Sequence, residues 1–232
     1  MRPYVFVNVA MSADGKLSTG ERRQVKISGP ADFRRVDQIK AESDAIMVGI
    51  GTVLADDPSL TVKDPALKAA RIARGQDENP VRVVVDSRGR TPVEAAVLNK
   101  GPGKRIIAVA GAAVEENLEQ LREKAEVITT GAESVDLPAL LEALYARGVH
   151  RLMIEGGGTL IWSLVAANLV DEIQTFIGNL VIGGRDAPTL VDGEGFLANQ
   201  GFVKLDLADI QRMEEGVLLT WQVRNQQSLT LR

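Results

Sequence analysis

The sequence contains no cysteine and only one histidine among its 232 residues. Without cysteine there are no disulfides, no thiolate catalysis and no cysteine-ligated zinc, and one histidine excludes a multi-histidine site within a chain, so we expect no metal. No apolar run approaches the roughly 20 residues of a membrane-spanning helix. The residues after Met1 lack the features of a signal peptide, and together these absences favour a cytoplasmic protein without a membrane partner.

An excess of one charge sign is also missing. The 27 basic and 31 acidic residues are interspersed and leave a net charge of −4, which argues against a general nucleic-acid binder but permits a basic pocket for a small anion. The hydrophobic fraction of 45% is typical of a soluble globular protein. Because we find no linker, repeat or low-complexity segment, we expect one domain over residues 1–232.

Strand patterns alternate with helix patterns along most of the chain. This alternation predicts an α/β protein with three αβα layers around a mostly parallel sheet. The predicted strands are 4–9, 45–50, 81–86, 105–110, 125–129, 151–155 and 172–179, and the main predicted helices are 30–43, 115–124, 137–147 and 159–169. Residues 64–80 are expected to form a surface loop or short helix. Strands at 203–210 and 216–223 predict a C-terminal antiparallel hairpin.

Three consecutive glycines, Gly156, Gly157 and Gly158, join the strand at 151–155 to the helix at Thr159. Glycines let a ligand approach the backbone closely, and the start of a helix attracts phosphate. The run lacks the spacing of the usual dinucleotide fingerprint, so a plain tight connection explains it equally well. Glu155 ends the strand, at the sheet edge where open α/β sheets keep their chemistry.

Two further loops are predicted to leave the same carboxyl edge of the sheet, after Ile50 and after Val85. Because the strands are expected to be parallel, these loops and the glycine turn meet at one rim. The polar side chains that they carry to this rim are Thr52, Asp56, Ser87 and Arg88. The sequence therefore predicts a polar, glycine-rich cleft of the kind that binds small molecules.

Four segments of the chain resemble the riboflavin-biosynthesis reductases, relatives of the C-terminal domain of the bacterial bifunctional deaminase/reductase. They are Asp14-Gly-Lys, the run from Gly49 to Lys63, Val85-Asp-Ser-Arg, and Ile154-Glu-Gly-Gly-Gly-Thr. The most diagnostic part is Thr-Val-Leu-Ala-Asp-Asp-Pro-Ser-Leu-Thr, and the similarity covers nearly the whole chain. The resemblance implies a dihydrofolate-reductase-like fold, a homodimer, and NADPH-dependent reduction of a phosphoribosylamino-pyrimidine.

The resemblance also implies roles for individual residues. The implied cofactor contacts are Ala10, Thr52, Asp56, Ser87, Arg88, Gly156, Gly157, Gly158 and Thr159, and the implied substrate contacts are Asn8, Lys40, Leu60, Lys63 and Glu155. Glu155 is the candidate catalytic carboxylate, and Asp57 is the alternative acid, although a turn role beside Pro58 is favoured for it. Arg88 and Arg90 are either partners of the 2′-phosphate of NADPH or solvated loop cations.

Asn8 bears on the choice of substrate. Bacterial relatives typically carry lysine at this position, whereas the archaeal and fungal branch, which reduces before it deaminates, resembles this chain. The implied substrate is 2,5-diamino-6-(ribosylamino)-4(3H)-pyrimidinone 5′-phosphate. The alternatives are a reductase of the same fold acting on 5-amino-6-(5-phosphoribosylamino)uracil or a pteridine, and a non-catalytic nucleotide-binding module. An enzyme requires that Thr52, the glycine turn and the lysine-bearing pocket share one rim.

Overall fold

The computed structural model describes residues 1–22, 25–198 and 201–224. It has the expected three-layer α/β fold, with a mostly parallel central sheet and antiparallel C-terminal strands. The chain divides into two compact units, the first formed by Met1–Tyr4 and Phe33–Gly157 and the second by Val5–Asp32 and Gly158–Arg232. The single domain expected over residues 1–232 stays a prediction.

The described residues form nine strands and seven helices. The strands are β1 (Tyr4–Met11), β2 (Ala45–Gly49), β3 (Val81–Val85), β4 (Arg105–Val109), β5 (Glu126–Thr129), β6 (Arg151–Gly156), β7 (Glu172–Ile177), β8 (Leu205–Met213) and β9 (Gly216–Val223). The helices are α1 (Pro30–Glu42), α2 (Ile50–Asp56), α3 (Pro65–Ala73), α4 (Ala96–Asn99), α5 (Glu115–Arg122), α6 (Leu137–Ala146) and α7 (Gly158–Ala166). No helix among these residues is long and apolar enough to cross a membrane.

The strands of the first unit lie in the order β5-β4-β3-β2-β6, and every neighbouring pair is parallel. Ile46, Met47 and Val48 of β2 are fully buried, as expected of an apolar strand covered on both faces. Strand β2 lies between β3 and β6. The loops that follow these three strands therefore leave the same edge side by side, which confirms the parallel arrangement predicted for them.

In the second unit, β1 pairs in parallel with β7, which pairs with β9 in antiparallel fashion. Strand β9 pairs in turn with β8, so the predicted C-terminal hairpin is confirmed. Its first strand begins two residues later and ends three residues later than the pattern predicted. The antiparallel strands complete the sheet of this unit.

Some local structure differs from the sequence-based expectation. The loop expected after Ile50 begins with a helix of seven residues, α2. Residues 64–80 contain the helical alternative, α3, whose first turn is capped by Asp64, which accepts a hydrogen bond from the Ala66 nitrogen. The one-turn helix α4 was not predicted. Residues 60–63 belong to no strand or helix in the described chain. Side chains instead hold the backbone of this segment.

Arg82 explains how a charged residue fits into the apolar strand β3. Its side chain is fully buried. The guanidinium donates hydrogen bonds to the carbonyl oxygens of Lys100, Gly101, Pro102 and Gly103. Burial lowers its pKa to about 10, so the charge is kept at neutral pH. Arg82 therefore stabilises the loop before β4, at the edge of the sheet opposite the loops that follow β2, β3 and β6.

The loop after β5 provides a stability prediction. At Gly131, φ is +73°, and a Cβ would lie 2.1 Å from the Ser134 carbonyl oxygen, whereas at Gly75, with φ +75°, nothing lies within 4 Å. We expect Gly75→Ala to cost the left-handed backbone penalty of about 1–2 kcal/mol. Gly131→Ala should cost about 1–3 kcal/mol more, because backbone atoms must move. Urea unfolding measures both, and equal losses would contradict the close approach at Gly131.

Candidate active site

Glu155 lies at an irregularity in the pairing of β6. Met47 of β2 pairs with Ile154, but the next residue of β2, Val48, pairs with Gly156. Glu155 is therefore an extra residue without a partner in β2. Such bulges change the direction of a side chain and are enriched next to active sites.

The carboxylate of Glu155 contacts helix α1. Its Oε1 atom lies 2.5 Å from Nζ of Lys40, and the two side chains are 24% and 13% exposed. Its Oε2 atom is buried and accepts no hydrogen bond from the described residues. A buried acceptor without a donor costs about 1–3 kcal/mol. Oε2 is therefore the atom at which a ligand N–H or O–H group gains most by binding.

Lys63 lies in a cluster with two hydroxyl groups. Its ammonium donates to Ser59 Oγ at 2.7 Å and to Thr61 Oγ1 at 2.8 Å. Desolvation lowers the pKa of Lys63, and the positive charges of Lys40 and Lys100 lower it further. An anion bound between Lys63 and Lys40 would stabilise the charged form of both lysines. Two ammonium groups and two hydroxyls suit a phosphate.

Leu60 differs from the other predicted substrate residues. Its side chain is buried, with 2% exposed, and its φ is +52°, in the left-handed region that leucine rarely adopts. Leu60 therefore offers almost no surface to a ligand. The unfavourable backbone angle sets the direction of the segment that carries Lys63.

The glycine turn adjoins Thr52, as the enzyme hypothesis required. A Cβ at Gly156 would lie 3.5 Å from Thr52 Oγ1, and a Cβ at Gly157 would lie 3.4 Å from the same atom and 3.3 Å from the Gly49 nitrogen. Gly157 also has a φ of +94°, which only glycine adopts readily. The space left by the missing side chains is bordered by a hydroxyl and a backbone nitrogen, groups that suit the ribose and amide of a nicotinamide nucleotide.

In the second unit, Gly158 and the exposed Thr159 begin helix α7. A Cβ at Gly158 would lie 2.7 Å from Oδ2 of Asp192. The other carboxylate oxygen of Asp192 accepts hydrogen bonds from the backbone nitrogen and the hydroxyl of Thr189. The start of α7, where we expected phosphate, thus has a carboxylate beside it, and the sequence did not indicate Asp192.

The loop after β3 carries Ser87, Arg88 and Arg90. Ser87 Oγ accepts a hydrogen bond from the Val135 nitrogen at 3.1 Å, and Arg88 lies 3.4 Å from Glu133. Arg90 lies 3.8 Å from Oδ1 of the fully buried Asp86, whose other oxygen accepts from the nitrogen and hydroxyl of Thr91. Both arginine side chains are more than half exposed, so they remain accessible to a phosphate.

The two aspartates at the end of α2 differ in their surroundings. Asp56 is exposed, yet the protein around its carboxyl group desolvates it enough to raise its pKa. Asp57 has a φ of +43° and accepts a hydrogen bond from the Ala96 nitrogen, at the start of α4, at 2.6 Å. This contact favours the turn role for Asp57 over the role of alternative acid.

Asn8 and Ala10 lie on β1 in the second unit, opposite Gln174 and Phe176 of β7. Asn8 is buried and Ala10 is partly exposed. The loop that follows β1 is fastened by Asp14, which accepts hydrogen bonds from Ser12 and from the nitrogens of Ile182 and Gly183. These bonds hold the pKa of Asp14 at about 2. The Asp14-Gly-Lys motif therefore joins the loops after β1 and β7.

The first unit brings together the residues on which the enzyme hypothesis depended. Lys40 contacts Glu155, the two residues after Glu155 adjoin Thr52, and the charge of Lys40 lowers the pKa of Lys63. Lys40, the glycine turn and Thr52 are therefore joined through the end of β6, as the enzyme hypothesis required. Asp37, which holds the Lys63 backbone, was missed because its sequence pattern is that of an ordinary helix residue.

Comparisons with known proteins show what this chain is similar to. The family model described as the RibD C-terminal domain matches residues 3–219. The 2,5-diamino-6-ribosylamino-4(3H)-pyrimidinone 5′-phosphate reductase of Archaeoglobus fulgidus is 54% identical over 220 residues, 95% of this chain and 98% of that protein. The protein of the same name from Methanothermobacter thermautotrophicus is 45% identical over 224 residues, 97% of this chain and 100% of that protein.

Among solved structures, Acinetobacter baumannii RibD is similar with a TM-score of 0.75 and 25% sequence identity. The match covers 96% of this chain and 58% of that chain, so the chain spans little more than half the length of that protein. Homologues named as reductases, together with a dihydrofolate-reductase-like fold, indicate an oxidoreductase that uses a nicotinamide cofactor.

Asp192 supplies a test of the expected phosphate position. Asp192→Asn removes the negative charge beside Gly158 but keeps an oxygen that can accept from Thr189. If the cofactor pyrophosphate lies at the start of α7, NADPH should bind about 2- to 5-fold more tightly, because the repulsion between two charges near the surface, worth up to about 1 kcal/mol, is removed. Fluorescence titration measures the Kd. Unchanged affinity would place the pyrophosphate elsewhere.

Proposed function

Because this chain belongs to the RibD C-terminal domain family, we propose that it reduces 2,5-diamino-6-(ribosylamino)-4(3H)-pyrimidinone 5′-phosphate to the ribitylamino product with NADPH, in riboflavin biosynthesis. The name of the 54% identical relative supports this substrate. The observation that carries the proposal is the end of β6, where Glu155 contacts Lys40 and the following glycines adjoin Thr52. Substrate and cofactor contacts are therefore neighbours along one strand.

The lysines bind the 5′-phosphate in this proposal. Lys40 and Lys63 provide two positive charges, and Ser59 and Thr61 provide hydroxyls beside Lys63. Lysine lacks the planar fork of arginine, but it binds phosphate well as a point charge. Anchoring the phosphate holds the ribose in a fixed position, which converts binding energy into orientation of the reacting carbon.

Glu155 orients the sugar. Its Oε1 atom is held by Lys40, whereas the buried Oε2 atom is left to accept a hydrogen bond from a ribose hydroxyl or from the protonated nitrogen of the ring-opened ribosylamine. A bound reduced nicotinamide would supply the hydride for the former anomeric carbon. A negative charge beside the iminium nitrogen favours its protonated form, which accepts hydride more readily. Little further acid–base machinery is required.

The glycine turn and Thr52 hold the cofactor. The residues fit a nicotinamide nucleotide because the missing side chains at Gly156 and Gly157 leave room beside a hydroxyl and the Gly49 nitrogen. We assign Asp56 and Ser87 to the same group of contacts, whereas the cofactor roles of Ala10 and Thr159 stay predictions from the family resemblance. Arg88 and Arg90 are the candidates for the 2′-phosphate that distinguishes NADPH from NADH.

We further propose that the protein is a cytoplasmic homodimer. Analytical ultracentrifugation tests the oligomeric state.

The function is tested by following the absorbance of NADPH, and in parallel of NADH, with each candidate substrate. We expect oxidation with the diamino pyrimidinone phosphate and much slower oxidation with the deaminated uracil phosphate or a pteridine. Faster oxidation with either of those would replace the proposed substrate. Tight NADPH binding without oxidation by any pyrimidine would support a nucleotide-binding module instead.

Glu155→Gln is expected to lower kcat by roughly 100-fold, because the charge that stabilises the reacting nitrogen is lost. The Kd of NADPH should change by less than about threefold, since Glu155 is assigned to the substrate, and both values come from steady-state kinetics and fluorescence titration. The control is Glu126→Gln, an exposed partner of Arg147 at the opposite edge of the sheet. Equal losses of turnover and cofactor affinity would place Glu155 in the cofactor half of the site.

Lys63→Ala is expected to raise the substrate KM roughly 10- to 100-fold, the effect of losing one charged hydrogen bond, with a much smaller change in kcat. In the unmodified protein, kcat/KM should fall as the pH rises through the lowered pKa of Lys63, because only the ammonium form binds phosphate. This part of the pH profile should weaken in the variant. Lys124→Ala, on an exposed lysine, is the control, and an unchanged KM in Lys63→Ala would argue against phosphate contact.

A further inference from the structure

The segment from Ser59 to Asp64 carries Lys63 without forming a strand or a helix in the described chain. Side chains outside this segment accept hydrogen bonds from its backbone nitrogens. Val62 donates to Asn79 Oδ1 at 3.0 Å, Lys63 to Asp37 Oδ1 at 2.8 Å, and Asp64 to Asp37 Oδ2 at 2.7 Å. Two side chains therefore hold three successive backbone amides. The amides of Lys63 and Asp64 both depend on the carboxylate of Asp37.

Asp37 is a buried residue of α1, with 9% of its surface exposed. Both of its oxygens are used on consecutive amides, which fixes the segment in position and in direction. Asp37 lies three residues before Lys40, and residues at this spacing lie on the same face of a helix. The helix that carries one lysine of the phosphate pocket therefore also holds the backbone of the other.

This connection matters because the two lysines repel each other. The charge of Lys40 lowers the pKa of Lys63, whereas the charge of Asp37 acts in the opposite direction. Lysine side chains are flexible and lose rotamer freedom when they bind an anion. The position of the Lys63 backbone therefore determines how often the Lys63 ammonium reaches the anion that Lys40 binds. A segment without regular structure would otherwise move away from a like charge.

We propose that Asp37 is a positioning residue for the phosphate end of the substrate site, holding the Lys63 backbone on helix α1 so that the ammonium groups of Lys63 and Lys40 converge on one phosphate. This inference rests on the proposed function, which assigns the phosphate to these lysines. Asp37 does not contact the substrate itself. Its effect is confined to ligands that carry a phosphate.

The decisive variant is Asp37→Asn, which keeps one acceptor oxygen, replaces the other with an amide group that cannot accept, and removes the charge. We expect the KM of the phosphorylated substrate to rise about 10-fold, the effect of one lost charged hydrogen bond. The kcat/KM for the dephosphorylated ribosylamino pyrimidine and the Kd of NADPH should change by less than about twofold. Equal losses with both substrates, or no loss with either, would overturn the proposal.

A double-mutant cycle separates positioning from simple structural support. Because Asp37 acts through Lys63, adding Asp37→Asn to Lys63→Ala should raise the KM no further, whereas independent effects would add and contradict the proposal. Asp136→Asn is the matched control, since Asp136 also accepts from a backbone amide, at the start of α6, and it should leave the KM unchanged. If Asp37→Asn does not fold, Asp37→Glu, which keeps both oxygens but shifts them, should show the same selective loss.

Binding of ribose 5-phosphate, measured by calorimetry, tests the inference without turnover. We expect binding to the unmodified protein that weakens about 10-fold in Asp37→Asn. If the protein oxidised NADPH with no pyrimidine but bound this probe in an Asp37-dependent manner, the proposed function would fail and the inference would stand. If the protein reduced its substrate but ribose 5-phosphate bound equally well to the variant, the inference alone would fail.

Discussion

The one-residue register shift between β2 and β6 is the constraint on which the candidate site depends. It inserts Glu155 as an extra residue at the carboxyl edge, where its carboxylate meets Lys40, while Gly156 remains paired with Val48. Without the shift, successive residues of a strand would alternate strictly between the two faces of the sheet. The bulge lets Glu155 contact Lys40 while the next two residues lie beside Thr52, at the same edge.

The charges of the candidate site are only partly compensated by the surrounding protein. Lys63 is desolvated beside a second lysine, and one oxygen of Glu155 is buried without a donor. Each feature destabilises the folded chain, so the surrounding structure has to hold the groups in place. Asp37 does this through two backbone hydrogen bonds. Such local instability is common where a protein is organised to bind an ion, because the ligand supplies the missing interactions.

How far the sequence predicts this structure depends on whether a feature is local. Apolar runs predicted β2, β3 and β6, and their order along the chain predicted parallel strands whose loops meet. The bulge at Glu155 depends on pairing with another strand, so no local pattern reveals it. The same holds for Arg82, whose burial is explained by carbonyl groups about 20 residues away, and for Asp37, whose partners are in another segment. Asp57 shows the opposite case, since the adjacent Pro58 already favoured a turn.

The glycine triplet shows why a run of identical residues is not a single signal. Gly157 is required by its positive φ, Gly156 lies against Thr52, and Gly158 leaves room for the carboxylate of Asp192. A dinucleotide fingerprint spaces its glycines for a pyrophosphate at the start of a helix. Here the first two glycines border a hydroxyl and a backbone nitrogen, and the third lies beside a carboxylate. Each of the three glycines therefore meets a different constraint, which explains why the run does not follow the spacing of a dinucleotide fingerprint.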